Sequence, residues 1–233
     1  MLSHLRIEVE RSVPNYPTVH LVVDGERVLE VDGNSEANDP ADILDTGALV
    51  PTDPPTRVAF YGCGCGTFGC SVVAGLVRRR GDTISWSDFR SITGAYISAL
   101  PEPEDRPDPL GPVAAFPDAD VFHRSHDLPT IRFEAEQYLT AVEAATADRS
   151  WETRPRAVLR HLRALRPDLQ ASAPRAGDAV HLSFRAGSMM DGVDVPVPAG
   201  PPERLAAALV GLLEAGIHPR RIAVPGVWTA AHD

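Results

Sequence analysis

Residues Arg57–Phe89, RVAFYGCGCGTFGCSVVAGLVRRRGDTISWSDF, hold three β-rich runs separated by two glycine-bearing breaks. The runs "RVAFYG", "SVVAGLVRRR" and "TISWSDF" are rich in β-branched and aromatic residues, and "GD" between the last two is a two-residue hairpin signal. This spacing predicts three consecutive antiparallel strands. Arg80-Gly81-Asp82 at the second joint reads as a hairpin turn rather than an adhesion motif. The first joint contains every cysteine of the chain: Cys63, Cys65 and Cys70.

Upstream, "LRIEVERSV" alternates apolar and polar residues, and "TVHLVVDGERVLEV" carries a "DG" turn between two short runs, so an antiparallel hairpin is expected. Between Asp32 and Pro55 the sequence turns acidic and proline-rich, with one helical turn expected at "DPADILD". The stretch "DGNSEANDPADI" departs from a calcium loop, because Ala37 stands at the glycine position and Ile43 at the terminal carboxylate position. A solvated loop is expected there. Downstream, the prolines of "PEPEDRPDPLGPVAAFP" exclude helix or central strand and mark a loop or linker.

Beyond it, "TIRF" reads as a strand leading into a helix, with Tyr138, Leu139, Val142 and Ala145 on one face. A second helix starts at Thr153 as N-cap and carries Val158, Leu162 and Leu165 on one stripe, which predicts a helical hairpin. "DAVHLSF" reads as a strand and "FRAGSMMDGVD" as a connecting loop. "GPPERLAAALVGLLEAGIHP" reads as a buried helix opened by proline and closed at Gly216, with "IAVPGVW" as a last strand.

The fold class expected is α+β: a mainly antiparallel sheet with about three packed helices. The organisation expected is a β-rich half over 1–100, a Pro-rich loop or linker over 101–117, and an α/β half over 118–233 into which the first half's sheet is able to continue.

At 233 residues, with 43% hydrophobic and 23% charged side chains, the chain can bury a substantial core without disulfides or a structural metal. All 22 basic residues are arginine. With no lysine, the chain cannot be a P-loop enzyme, a pyridoxal enzyme or a protein kinase of the ordinary kind. A net charge of -10 repels phosphate backbones and argues against nucleic acid as a partner. The opening "MLSHLRIEVERS" lacks an apolar signal-peptide core, and the longest apolar run, Leu205 to Leu213, is too short for a membrane span. A cytoplasmic location is expected.

Three cysteines scattered at random would share one eight-residue window about a third of a per cent of the time. On an extended strand Cys63 and Cys65 share a face, and the turn "GTFG" brings Cys70 back toward them. Gly62, Gly64, Gly66 and Gly69 remove Cβ atoms around the turn and free amide N–H groups for thiolate sulfur. Converging thiolates suit a borderline cation, zinc foremost, at about 2.3 Å per sulfur. A fourth ligand is usual, and "FHRSH" offers His123 and His126, with His20 and His181 on predicted strands. C-x-C-x4-C is not a recurrent two-knuckle pattern, so two other readings stand beside it: small thiols packed inside a tight hairpin, or a disulfide or redox-active thiol pair.

The "CGCG-x2-GC" hairpin, with the "WSDF" that follows, resembles one found in uncharacterised proteins of high-GC actinobacteria. The resemblance runs over Arg57 to Arg90 and weakly over "RFEAEQY", and it implies no activity and no functional residue.

Two weaker features remain. Arg156, Arg160 and Arg163 fall on one arc of the second helix, a basic face open to an acidic protein or small anionic ligand unless the chain's own carboxylates pair with it. Gly187, Ser188, Asp191 and Asp194 lie in the expected loop, which fits no nucleophile elbow or dinucleotide fingerprint. Catalytic residues cannot be assigned by spacing. The leading expectation is a zinc-binding accessory or interaction protein using Cys63, Cys65 and Cys70. The alternatives are a thiol- or metal-dependent enzyme built on the same cluster, and a metal-free binding module with buried structural cysteines.

Overall fold

The computed structural model describes residues 1–13, 15–27, 36–62, 71–94, 96, 98–101, 123–174, 177–186 and 189–224. The chain divides into two compact units, Met1–Glu10 with Pro17–Arg149, and Arg11–Tyr16 with Ser150–Asp233. The class is α+β, with mostly antiparallel sheets and five helices among the described residues, three of them of seven residues or more.

In the first unit, β1 (Leu5–Glu10) and β2 (Thr18–Val23) form an antiparallel ribbon. The turn expected at "DG" follows β2, with Asp24 and Gly25 both at positive φ and Val23 exchanging backbone hydrogen bonds with Glu26. The run "RVLEV" lies largely outside the described residues. A second, six-stranded sheet runs β3 (Glu36–Ala37), β4 (Thr56–Gly62), β5 (Val72–Arg80), β6 (Thr83–Ile92) and β7 (His123–Ser125), with β8 (Ile131–Glu134) also on β6. The three strands read from Arg57–Phe89 are β4, β5 and β6, and Gly81 takes the positive φ of the two-residue turn.

The one-turn helix expected at "DPADILD" is α1 (Pro40–Ile43), capped by the Asp39 side chain. Its surroundings are not a solvated loop, because Ala37, Asn38, Ile43, Leu44, Ala48 and Leu49 are all buried. Asn38 allows this. Its amide donates to the carbonyls of Ala59 and Phe60 at 2.7 and 2.9 Å, where β4 bulges and Phe60 has no register partner in β5.

One face of the sheet carries an aromatic row. Phe89, Phe60, Trp86 and Phe133 follow one another with centroids 6.1, 4.7 and 4.8 Å apart, and Tyr138 closes on Phe133 at 5.3 Å. Gly75 lies beneath the Phe60–Phe89 pair; a Cβ there would stand 2.8 Å from the Phe89 ring and 3.0 Å from that of Phe60. Tyr138 belongs to α2 (Ala135–Ala147), whose first amides at Glu136 and Gln137 are capped by the Glu134 carboxylate. Buried Tyr138 accepts from the Trp86 indole at 3.1 Å and donates to the Leu49 carbonyl at 2.9 Å. Burial pushes its phenol well above the usual range, so it stays a neutral donor.

The second unit holds a three-stranded antiparallel sheet of β9 (Ala171–Ser172), β10 (Ala179–Ala186) and β11 (Met189–Pro196), in the order β11-β10-β9. Its helices are α3 (Arg154–Leu165), α4 (Pro202–Glu214) and α5 (Pro219–Ile222). Val158 and Leu162 of α3 and Leu205, Ala206 and Leu209 of α4 pack with Val180, Leu182 and Val195 in one core. Three expectations are corrected. The stretch expected as a loop at "FRAGSMMDGVD" is largely strand, because Val193 and Val195 alternate with polar positions and face the core. In place of one helical hairpin, α3 packs with α4 in the core of the second unit, while α2 belongs to the first. Ile222, expected in a last strand, ends the short helix α5, which His218 caps and Pro219 opens; 225–233 lie outside the described residues. The units divide at Arg149 and Ser150, and β7 and β8, from beyond the Pro-rich segment, continue the sheet of the first unit.

The segment Arg11–Tyr16, between β1 and β2, belongs to the second unit. Asn15 anchors it, donating to the Gly177 carbonyl at 2.7 Å and accepting from the Thr153 hydroxyl at 2.6 Å. That is why the α3 N-cap, Thr153, makes no side-chain bond to its own helix. Among the described residues, no helix is long and apolar enough to cross a membrane.

Replacing Tyr138 with Phe leaves the Trp86 N–H and the Leu49 carbonyl buried without partners. We expect it to destabilise the chain by about 2 kcal/mol, read as a lower urea midpoint with an unchanged slope; a neutral effect would mean that neither group depends on the phenol.

Candidate functional site

The sheet of the first unit sets the frame for the cysteine segment. Across it, Glu36, Gly62, Val72, Ile92 and His123 are successive register partners. This row marks one end of the sheet, where β4 leads out to Cys63, β5 returns after Cys70 and β7 begins. Adjacent strands lie about 4.8 Å apart, so the His123 backbone stands about 10 Å from that of Val72, two residues past Cys70. Cys63, Cys65 and Cys70 themselves lie outside the described residues.

The two histidines of "FHRSH" separate. His123 sits in the sheet-end row, while His126 is three residues farther from it, about 10 Å along the strand direction. The His126 ring is held elsewhere: Nε2 lies 2.6 Å from the Ser91 hydroxyl, and its backbone N–H donates to Phe89 at 2.9 Å. His20 is buried, 3.1 Å from the Glu10 carboxylate. In the second unit, His181 Nδ1 lies 2.7 Å from Asp194. Among the described residues, no group of three or more His, Cys, Asp or Glu side chains could hold a metal ion.

The basic face expected on α3 is not open. Arg156 is buried, its guanidinium 5.5 Å from the Trp151 ring centroid and donating to the Asn15 carbonyl. Arg160 makes a two-point pair with Glu152 at 2.6 and 3.0 Å. Arg163 reaches the Ala171 carbonyl at 3.4 Å. The chain's own groups meet these guanidiniums, which leaves no common surface for an anion. Gly187 and Ser188 lie outside the described residues, and Asp191 pairs with Arg220, which holds its carboxyl below the usual range.

The sheet's second face carries a charged cluster with no signal of its own in the sequence. Arg57 of β4 is fully buried and donates to Asp88 of β6 through both the backbone carbonyl, at 2.5 Å, and the carboxylate, at 2.6 Å. Arg90 grips the same carboxylate at 2.6 and 3.0 Å. Asp88 stands at a bulge, with φ of 51°, where the ladder slips between Ala74 and Leu76. The spacing of Ile84, Trp86 and Phe89 carries the trace: the alternation of two becomes three where the bulge inserts its residue. Two guanidiniums on one carboxylate make a brace across the bulge rather than an acid–base pair.

No family model, no curated protein and no solved structure matches the chain.

Burial raises the Asp88 carboxyl, but hydrogen bonds from Arg90 and Arg57 and the field of both cations outweigh it and hold the carboxyl below the usual range. A carboxylate lowered on folding stabilises the fold above its unfolded pKa of about 3.9 and loses that contribution as pH falls through its lower folded value. Asp88→Asn keeps a residue tolerant of positive φ and removes the charge together with one of the two acceptor oxygens. We expect it to cost about 2 kcal/mol at neutral pH, less than a fully buried pair would, because Asp88 is 38% exposed. The gap to wild type should narrow below about pH 4; a gap constant with pH would show that the charge contributes nothing.

Proposed function

We propose that the chain is a metal-binding accessory or interaction protein, with Cys63, Cys65 and Cys70 as thiolate ligands of zinc and His123 as the fourth ligand. The strand register carries this reading. Gly62 and Val72, which flank the cysteine segment, lie in one row with Ile92 and His123, so His123 stands at the sheet end from which the chain enters and leaves that segment. His126 is the poorer partner, since its ring already meets Ser91. Three thiolates and one imidazole make a closed tetrahedral set of the kind that stabilises a fold rather than leaving a position open for chemistry. The accessory role therefore ranks above a metal-dependent enzyme.

The test is elemental analysis of the full chain purified without added metal, with thiol titration before and after unfolding. We expect about one zinc per chain, thiols masked until the metal is removed, and thiolate-to-metal absorption after cobalt exchange. His123→Ala should weaken zinc binding by about tenfold or more while His126→Ala leaves it unchanged. Metal-free protein whose thiols react only on unfolding would replace this reading with structural packing of the cysteines.

A further inference from the structure

Among the described residues, strand β1 pairs with β2 alone. In an antiparallel ribbon, the N–H and C=O of alternate residues point away from the partner strand. Leu5 is such a residue, because its N–H and C=O meet the side-chain amide of Gln137 at 3.2 and 2.8 Å. Ile7 and Val9 share its phase, so their backbone groups line the same outer edge. The outer edge of β2 is occupied in the equivalent phase: Val19 donates to the Asn38 carbonyl, Leu21 to the Tyr61 hydroxyl and Val23 to the Glu26 carbonyl. One edge of the ribbon is thus closed, while among the described residues the other is covered only at Leu5, by an amide that imitates a strand's donor and acceptor.

Past Gln137, a groove of about 680 Å³ lies between the β1 edge and α2. Thr140, Ala141, Ala144 and Ala145 line its helical side, short side chains that leave room beside Ile7 for an added strand. Its charge is one-sided. The carboxylates of Glu134 and Glu136 line it against one guanidinium, Arg6, which is already paired with Glu8 at 2.7 Å. Glu134 stays ionised, since the amides of Gln137 and Glu136 hold its carboxyl below the usual range.

We propose that this edge is a strand-addition site for an extended, basic segment of another protein. The segment pairs its backbone with Ile7 and Val9, lays its apolar side chains over the alanines, and sets its cations against Glu136. Main-chain pairing supplies affinity and the alternate side chains supply selection. A second copy of this chain fits poorly, because it brings a net charge of -10 to an acidic groove. The proposal uses none of the cysteines and stands apart from the metal.

The probe is a fluorescein-labelled eight-residue peptide of alternating Lys and Val, compared with its Glu-Val counterpart by anisotropy on the full chain. We expect saturable binding of the basic peptide only, weakened by added salt, and slowing of amide exchange at Ile7 and Val9 by about tenfold or more. Ala144 is exposed on α2, so Ala144→Phe should leave the melting temperature unchanged while filling the groove and weakening binding by about tenfold. The proposal is overturned by absence of binding, by equal binding of both peptides, by a bound peptide that leaves Ile7 and Val9 unprotected, or by Ala144→Phe binding like wild type. A chain that elutes as a dimer with Ile7 and Val9 protected before peptide is added also overturns it, since the edge then belongs to a second copy.

Discussion

The first unit depends on one chain of hydrogen bonds, from the Trp86 indole to the Tyr138 hydroxyl to the Leu49 carbonyl. An indole N–H buried at the middle of a sheet must find an acceptor, and the phenol answers it while meeting a second buried group. Three separate parts of the chain meet there: the sheet, α2 and the segment after α1. Because Tyr138 fixes the rotation of α2, its neighbour Gln137 is carried to the edge of β1, where the side-chain amide takes both backbone groups of Leu5. The groove along β1 is therefore a consequence of the core. The helix that closes the aromatic row covers the strand edge at one residue and leaves the next two to whatever lies beyond.

The aromatic row needs room that a regular sheet does not supply. Two bulges provide it, one in β4 at Phe60 and one in β6 at Asp88 and Phe89, and Gly75 lies between them, where any Cβ would meet both rings. Each bulge disturbs the ladder, and each is repaired by a buried polar residue. Asn38 meets the carbonyls of Ala59 and Phe60 at the bulge in β4, and Arg57 meets the backbone carbonyl and carboxylate of Asp88. The carbonyls would otherwise cost about 1–3 kcal/mol each. Asn38 and Arg57 are thus tied to the packing of Phe60 and Phe89 although neither is apolar.

Where the sequence alternates cleanly, the fold was legible. β4, β5 and β6 could be read because both breaks between them carry glycine, and α4 because Pro202 opens it and Gly216 closes it with a φ of 75°. β11 was missed because Gly192 and Asp194 are the outer positions of a strand whose inner positions are Val193 and Val195; turn-forming residues outvoted a period of two. The role of Asn15 left no local trace, since its partners, Thr153, Arg156 and Gly177, are all more than a hundred residues away. The clustering of the cysteines was visible from composition alone, but the different placement of His123 and His126 was not. Both sit in one pentapeptide, and only strand register separates a residue opposite Ile92 from one bonded to Ser91.

Charge connects these features. With arginine as the sole basic residue, every cation is permanent and planar, and pairing with a carboxylate is two-pronged wherever geometry permits, as at Arg90–Asp88, Arg160–Glu152 and Arg166–Asp168. Those pairs leave the excess of 32 acidic over 22 basic residues to be distributed over the rest of the surface. Along β1 the alternation LRIEVE puts Glu8 and Glu10 on a strand with an open edge, the arrangement by which soluble proteins discourage copies of themselves from adding to their sheets. Repulsion of that kind depends on sign. A negative surface that keeps identical chains apart lowers the energy of an extended segment of opposite charge, and in the strand addition proposed above Glu136, beside the same edge, would act in that sense.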